Sequence, residues 1–217
     1  MTRNIVVVTA GLSDPSSTRL LADLLGTATA TALTQRGEDA AVGVVELRPL
    51  AHALTDHLLT GFATGDLAAA LRTVAEADAV IAVTPVFSAS YSGLFKTFFD
   101  VLEPGALDGT PVLIAATAGT ARHSLVLDHA LRPLFGYLRA VVVPTGVFAA
   151  SEDWGSAGAG GSVRRRVERA AGELAGLVAG RPEVEHVDPS TSSGQRQFDR
   201  DLAAMGDFED LLNGPRA

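Results

Sequence analysis

No cysteine occurs among the 217 residues, which excludes disulfides, thiolate nucleophiles, CxxC redox centres and iron–sulfur ligation by this chain. Long apolar runs are missing too, since none reaches the roughly 18 residues of a membrane span. The start, Met1-Thr2-Arg3-Asn4, leads straight into a β-branched stretch and lacks the pattern of a cleavable signal. A soluble cytoplasmic protein is the simplest expectation. Basic residues are scarce: 17 Lys and Arg against 25 Asp and Glu give a net charge of −8 and a pI near 5.0. That balance argues against nucleic acid or an anionic membrane as a partner, and requires any positive field to be local. No acid–base dyad, Ser-His-Asp set or metal cluster is apparent. His52 and His57 stand five residues apart, a poor spacing for two ligands on one helix face.

Two nucleotide fingerprints are absent as well. The chain has neither a Gly-Lys-Ser/Thr phosphate loop nor a G-x-G-x-x-G turn, which disfavours nucleoside triphosphates and a dinucleotide Rossmann site.

What is present is a regular alternation of short β-branched runs with Ala/Leu-rich segments, and 47% hydrophobic residues to bury. Strands are expected at 5–10, 41–47, 79–83, 112–116, and 140–143 with 146–149, the last interrupted by Pro144. Helices are expected at 18–36, 50–60, 66–77, 93–102, 121–138 and 163–178, with Pro133 kinking or dividing the fifth of them. Strands alternating with helices imply right-handed crossovers and a parallel sheet covered on both faces. The expected architecture is α/β, a flavodoxin-like doubly wound five-stranded parallel sheet over residues 1–180. Residues 155–162 read as a mobile Gly/Ala/Ser-rich connection. Residues 181–217 form a polar, acidic tail in which Phe198, Leu202, Met205 and Phe208 recur at helical spacing.

Such sheets bind ligands beyond the carboxyl ends of their strands. Three loops fall there, at 11–18, 85–92 and 117–120, and all are rich in Ser, Thr or Gly. The first carries Ser13, Ser16, Ser17 and Thr18 ahead of a helix, whose N-terminus offers free N–H groups and a positive dipole end. A hydroxyl-lined loop without lysine suits a phosphate monoester, although Ser16 or Ser17 equally suits a simple helix cap. The second loop, within TPVFSASYSGLFK (84–96), can present backbone N–H groups to a flat polar ligand while Pro85, Phe87 and Tyr91 pack on it. Together the loops fit a mononucleotide flavin, FMN.

The stretches TPVFSASYSGLFKTFFDVL and ATAGTARHSLVLDHALRPL, with Gly11-x-Ser13 upstream, resemble the NAD(P)H-dependent FMN reductases over residues 4–150. They are most similar to the branch that supplies reduced FMN to alkanesulfonate and other luciferase-like monooxygenases. The resemblance implies that Ser13, Ser17 and Thr18 hold the FMN phosphate. Pro85, Val86, Phe87 and Ser88 would run along the isoalloxazine, mostly through backbone. Thr117, Ala118, Gly119 and Thr120 would approach its pyrimidine edge. It also implies a π-bulge near Asp128-His129, close to a subunit interface, with His129 as a modulator or simply a surface histidine.

No catalytic side chain is expected, because the cofactor carries the chemistry and the protein orients and tunes it. Hydride would pass from NAD(P)H to FMN in one shared cleft. Arg122, Arg132 and Arg164-Arg165-Arg166 are candidates for reading a 2′-phosphate, with solvation an equal reading for the run. The expected partner is a flavin-dependent monooxygenase, and the apolar helices at 94–102 and 125–138 suggest a homodimer or homotetramer. The alternatives keep FMN but reduce a quinone, an azo dye or a metal ion, or reduce the protein to an electron carrier.

Overall fold

The computed structural model describes residues 2–154 and 160–180. The expected tail helix lies outside the described residues, as does most of the stretch at 155–162.

Seven strand segments form the sheet: β1 (Thr2–Thr9), β2 (Asp39–Glu46), β3 (Ala79–Phe87), β4 (Ser90–Tyr91), β5 (Pro111–Ala118), β6 (Val141–Val142) and β7 (Val147–Ala150). Among the described residues six α-helices accompany them: α1 (Ser17–Thr34), α2 (Ala51–Thr60), α3 (Gly65–Ala75), α4 (Gly93–Asp100), α5 (Arg132–Tyr137) and α6 (Gly160–Ala179). The order β2-β1-β3-β5-β6 is parallel throughout, with β7 also parallel to β5. This is the flavodoxin-like arrangement. The count of seven, where five were expected, has two local causes. Pro144 cannot donate to the ladder, so the last strand breaks into β6 and β7 on one partner. The fourth segment, β4, is a two-residue antiparallel return of β3.

Alternation along the strands sends side chains to two cores. Ile5, Val7, Ile81, Val83, Leu113 and Ala115 pack under α1 and α6 with Leu21, Leu25 and Leu174. Val6, Val8, Val80, Ala82, Ile114 and Ala116 pack on the other face with residues of α2 to α5. Both faces of the central strands are dry, which is why they read as continuous apolar runs rather than alternating ones.

On the second face, Phe95 and Phe99 of α4 meet Phe135 of α5, and Phe98 packs on Phe99. The Phe99–Phe135 rings are T-shaped, with centroids 4.9 Å apart. The aromatic run of α4, expected to point to a subunit contact, is therefore consumed inside the chain. Leu125 and Tyr137 are the large apolar side chains left exposed in the following segment, 63% and 86% accessible.

The expected helix at 121–138 is three pieces. A 3₁₀ turn (Ala121–His123) leads to a π-helical turn (Leu127–Leu131), and then to α5. Pro133 supplies the reason. It has no N–H, and in an α-helix its ring would press on the carbonyl four residues back, at His129. The wider turn, closed by the Arg132 N–H donating to the Leu127 carbonyl, moves that carbonyl away.

Candidate functional site

All three expected loops lie at the carboxyl ends of β1, β3 and β5, which are adjacent in the sheet. The first loop leaves β1 at Ala10, whose N–H donates to the Val83 carbonyl at 3.0 Å. Gly11 then lets the chain fold back tightly. A Cβ there would stand 2.2 Å from Ser16 Oγ and 3.3 Å from Thr18 Cβ. Ser16 is the N-cap of α1, and its hydroxyl accepts from the Arg19 N–H at 3.2 Å. The N–H groups of Ser17 and Thr18 precede the intrahelical ladder and belong to the orphan donors of a helix start. Ser13 and Ser17 are exposed, whereas Ser16 is half-buried with its hydroxyl turned to the helix start.

Thr18 differs from its neighbours. It is buried, and its Oγ1 lies 2.8 Å from Oγ1 of Thr117, at the end of β5. The two hydroxyls satisfy each other and tie the first loop to the third. Arg19 is also committed. It pairs with Asp23 at 2.8 Å and with Glu46, and the Asp23 hydrogen bond raises its pKa further above the ordinary arginine value. No basic side chain is thereby aimed at the loop from α1, and the helix terminus remains its main source of positive potential.

The second loop is more ordered than a loop. The third strand continues through Pro85 and Val86 to Phe87, turns at Ser88-Ala89, and returns as β4. Ser88 and Ala89 have φ values of 50° and 67°. Two positive values in a row are the requirement of a primed two-residue hairpin turn, met here without glycine or asparagine. At its base, the buried Thr84 hydroxyl donates to the Pro85 carbonyl at 2.9 Å and accepts from the Ser92 N–H at 3.1 Å. Ser92 in turn caps α4, accepting from the Phe95 N–H at 3.2 Å. Pro85 and Val86 are half-buried, whereas Phe87 is 49% exposed and offers a ring surface at the edge. Sequence reasoning missed this Thr84–Ser92 bracket. Its only signal was a Ser-Gly pair ahead of an apolar helix.

In the third loop Thr117 is buried, Ala118 half-buried, and Gly119 and Thr120 exposed. A Cβ on Gly119 would meet nothing within 4 Å, so the space beside it is open. Beyond it, Arg122, His123, Leu125, Val126, His129 and Ala130 join Ala89 and Ser90 in lining a cleft of about 300 Å³. His129 sits in the π-helical turn beside Asp128, which pairs with Arg132 at 3.2 Å. Arg132 also donates to the Val143 and Pro144 carbonyls, and Arg166 to that of Phe148, while Arg164 pairs with Glu168. Of the five arginines considered for a phosphate, three are thus engaged structurally.

A larger cavity than this cleft, about 710 Å³, lies elsewhere. It is an open groove between α1 and the edge strand β2, lined by Ala22, Gly26, Ala30, Val42 and Val44 among others. It shares no residue with the three loops. Among the described residues there is no group of three metal-ligating side chains, and no helix is long and apolar enough to cross a membrane.

The donor set suits a phosphate monoester joined to a flat ring. It comprises a helix start with free N–H groups, two exposed serines, a tight cradle at Gly11, and a hairpin and glycine loop around open space.

Comparison with known proteins agrees with that chemistry. Residues 3–155 match the family model described as NADPH-dependent FMN reductase. The chain is 37% identical over 183 residues to an FMN reductase (NADPH) of Pseudomonas aeruginosa, covering 83% of this chain and 95% of that protein. It is 37% identical over 172 residues to the NADH-dependent FMN reductase SfnE of Pseudomonas putida, covering 77% of this chain and 90% of the relative. Among solved structures, an oxidoreductase from Corynebacterium diphtheriae superposes with a TM-score of 0.81 at 50% identity, covering 83% of this chain and 99% of the other.

Proposed function

Since the chain belongs to the NADPH-dependent FMN reductase family and is an NAD(P)H-dependent FMN reductase, we propose that it holds FMN in the three loops at the carboxyl edge of its sheet. Ser13, Ser16, Ser17 and the first N–H groups of α1 receive the phosphate. Pro85, Val86, Phe87 and Ser88 lie along the ring, and Thr117, Ala118, Gly119 and Thr120 border its polar edge. Thr18 braces the first loop against the third through Thr117. When bound, FMN supplies the ring that accepts a hydride from the reduced nicotinamide. The protein's part is positioning: backbone N–H groups of the loops orient the ring, and the same donors favour the negative charge that reduction places on it.

The observation that carries this assignment is convergence. A lysine-free helix start, a braced hairpin and a glycine loop meet at one edge, and one buried hydrogen bond joins the first to the third. Titration of FMN into the apoprotein, followed by quenching of flavin fluorescence, tests it. Ser17→Ala should weaken FMN binding about tenfold or more, the worth of one hydrogen bond to a charged group. An unchanged affinity would remove the phosphate from this loop.

Reduced FMN passing to a luciferase-like monooxygenase is the onward step we infer, supported by the TPVFSASYSG and ATAGTARHSL motifs. Residues 1–180 form the catalytic domain in this reading, within a cytoplasmic homodimer or homotetramer. A chain truncated after residue 180 should retain NAD(P)H-dependent FMN reduction, and light scattering of the intact protein reads the assembly. Reduced-flavin transfer in a coupled oxygenase assay separates this role from reduction of quinones, azo dyes or metal ions.

A further inference from the structure

We propose that the cleft between the hairpin turn and the 121–130 segment is the seat for a phosphate group of the pyridine dinucleotide, with Arg122 as its charged contact. The inference rests on the FMN reductase reading and adds a location and a residue to it. Its lining is Ala89 and Ser90 from the hairpin, with Arg122, His123, Leu125, Val126, His129 and Ala130 from the other wall.

Arg122 is the arginine among the residues that line this cleft. The protein carries a net charge of −8, so an anionic substrate needs a local cation. Near the carboxyl edge, Arg19 is neutralised by Asp23 and Glu46, Lys96 by Asp100, and Arg132 by Asp128. Arg166 spends its guanidinium on the Phe148 carbonyl. Arg122 is exposed and has no carboxylate partner among the described residues. Two imidazoles, His123 and His129, line the same cleft, and each has a ring N–H to donate in either neutral tautomer.

Position supports the same conclusion. The first loop runs into α1, whose Leu21 and Leu25 belong to one core, and Thr18 at the start of that helix meets Thr117. Val126 and Leu127 of the cleft segment belong to the opposite core. Val86 and Tyr91 of the hairpin, with Ala118, pack against that same opposite core. Phosphate of FMN and phosphate of the dinucleotide are thereby kept on opposite sides of one edge, which two anions sharing a small site require. A volume of about 300 Å³ holds a phosphorylated ribose rather than a whole dinucleotide. The apolar wall of Leu125, Val126 and Ala130 suits the sugar and adenine side of such a group.

The test uses Arg122→Gln and Arg122→Lys in the full chain, with 2′,5′-ADP, ADP and 5′-AMP as calorimetric probes and steady-state FMN reduction by NADPH and NADH. Arg122 is exposed and unpaired, so both variants should melt as the parent does. Loss of one charge-assisted contact should weaken 2′,5′-ADP about tenfold or more in Arg122→Gln, with part of the loss recovered in Arg122→Lys. A rise in KM for NADPH alone locates the 2′-phosphate in the cleft. Equal rises for NADPH and NADH, with weakened ADP, locate the pyrophosphate. Unchanged binding of every probe overturns the proposal, as does an equal loss of FMN affinity, which would assign the cleft to the flavin. Failure of the parent protein to oxidise either nucleotide with FMN present would count against the reductase reading, while the calorimetric arms still judge the cleft.

Discussion

Thr18 and Thr117 make a sharp test of how the site is held together, because their hydroxyls are buried, 2.8 Å apart and separated by 99 residues of sequence. Thr18→Val or Thr117→Val changes shape little but leaves the other hydroxyl buried without a partner. Each single change should cost about 1–3 kcal/mol in stability. The double change removes both hydroxyls, so its cost should be close to zero and the coupling between the sites, the sum of the two single losses, should be about 2–6 kcal/mol. Urea unfolding of the four proteins, followed by far-ultraviolet circular dichroism without flavin, measures the cycle. Additive single losses would show that the two hydroxyls do not pair. The cycle also bears on FMN. If Thr18 acts as a brace, the Thr18→Val/Thr117→Val protein should bind FMN nearly as the parent does, whereas Ser17→Ala should not. Equal loss of affinity in both would show that Thr18 contacts the phosphate itself, and the brace would be the wrong description of it.

Other substitutions probe the remaining loops. Gly11→Ala places a Cβ 2.2 Å from Ser16 Oγ, so the cap or the loop must shift, with an expected loss of about 1–3 kcal/mol. An unchanged urea midpoint would refute that packing. A Cβ at residue 119 meets nothing within 4 Å, so Gly119→Val should fold normally while raising the FMN Kd about tenfold or more by filling space beside the ring. Normal affinity and turnover would move the ring away from residue 119. Ser88→Asn with Ala89→Gly installs residues that accept φ values near 50° and 67°, and should raise stability by about 1 kcal/mol. A lower melting temperature would count against a primed turn. Thr9 Oγ1 is buried without a hydrogen-bond partner, so Thr9→Val should be neutral or stabilising by up to about 1 kcal/mol. A clear loss in a calorimetric melt would reveal a partner for that hydroxyl.

Much of this architecture was legible because its strands are buried on both faces. Runs such as Ile5–Val8 and Val112–Ala116 have no reason to be continuously apolar unless helices cover both sides, and that alone implies crossovers and a carboxyl edge. What escaped sequence reasoning falls where local preference and tertiary demand disagree. Ser88 and Ala89 carry no turn signature, since neither favours positive φ. The hairpin exists because Phe87 pairs with Ser90 and Thr84 grips the Ser92 N–H, contacts that no window of sequence displays. The apolar run of α4 has a use within the chain that no window of sequence displays: Phe95 and Phe99 pack on Phe135, 36 to 40 positions later.

Thr18 exposes the same limit at the site. By composition it is one more hydroxyl in a serine-rich loop, indistinguishable from Ser17. One residue of helical rotation separates them, about 100°, and that turns Thr18 inward to Thr117 while Ser17 faces out. A loop rich in hydroxyls therefore contains two kinds, those that can meet a ligand and one that holds the loop's position. The division between them is set by where α1 begins. That start is fixed by the Ser16 cap, and the cap by the close approach that Gly11 permits. The geometry of the phosphate loop thus traces back to a single missing Cβ, and Gly11→Ala should disturb ligand binding through Ser16 and the helix start even though residue 11 has no side chain to offer a ligand.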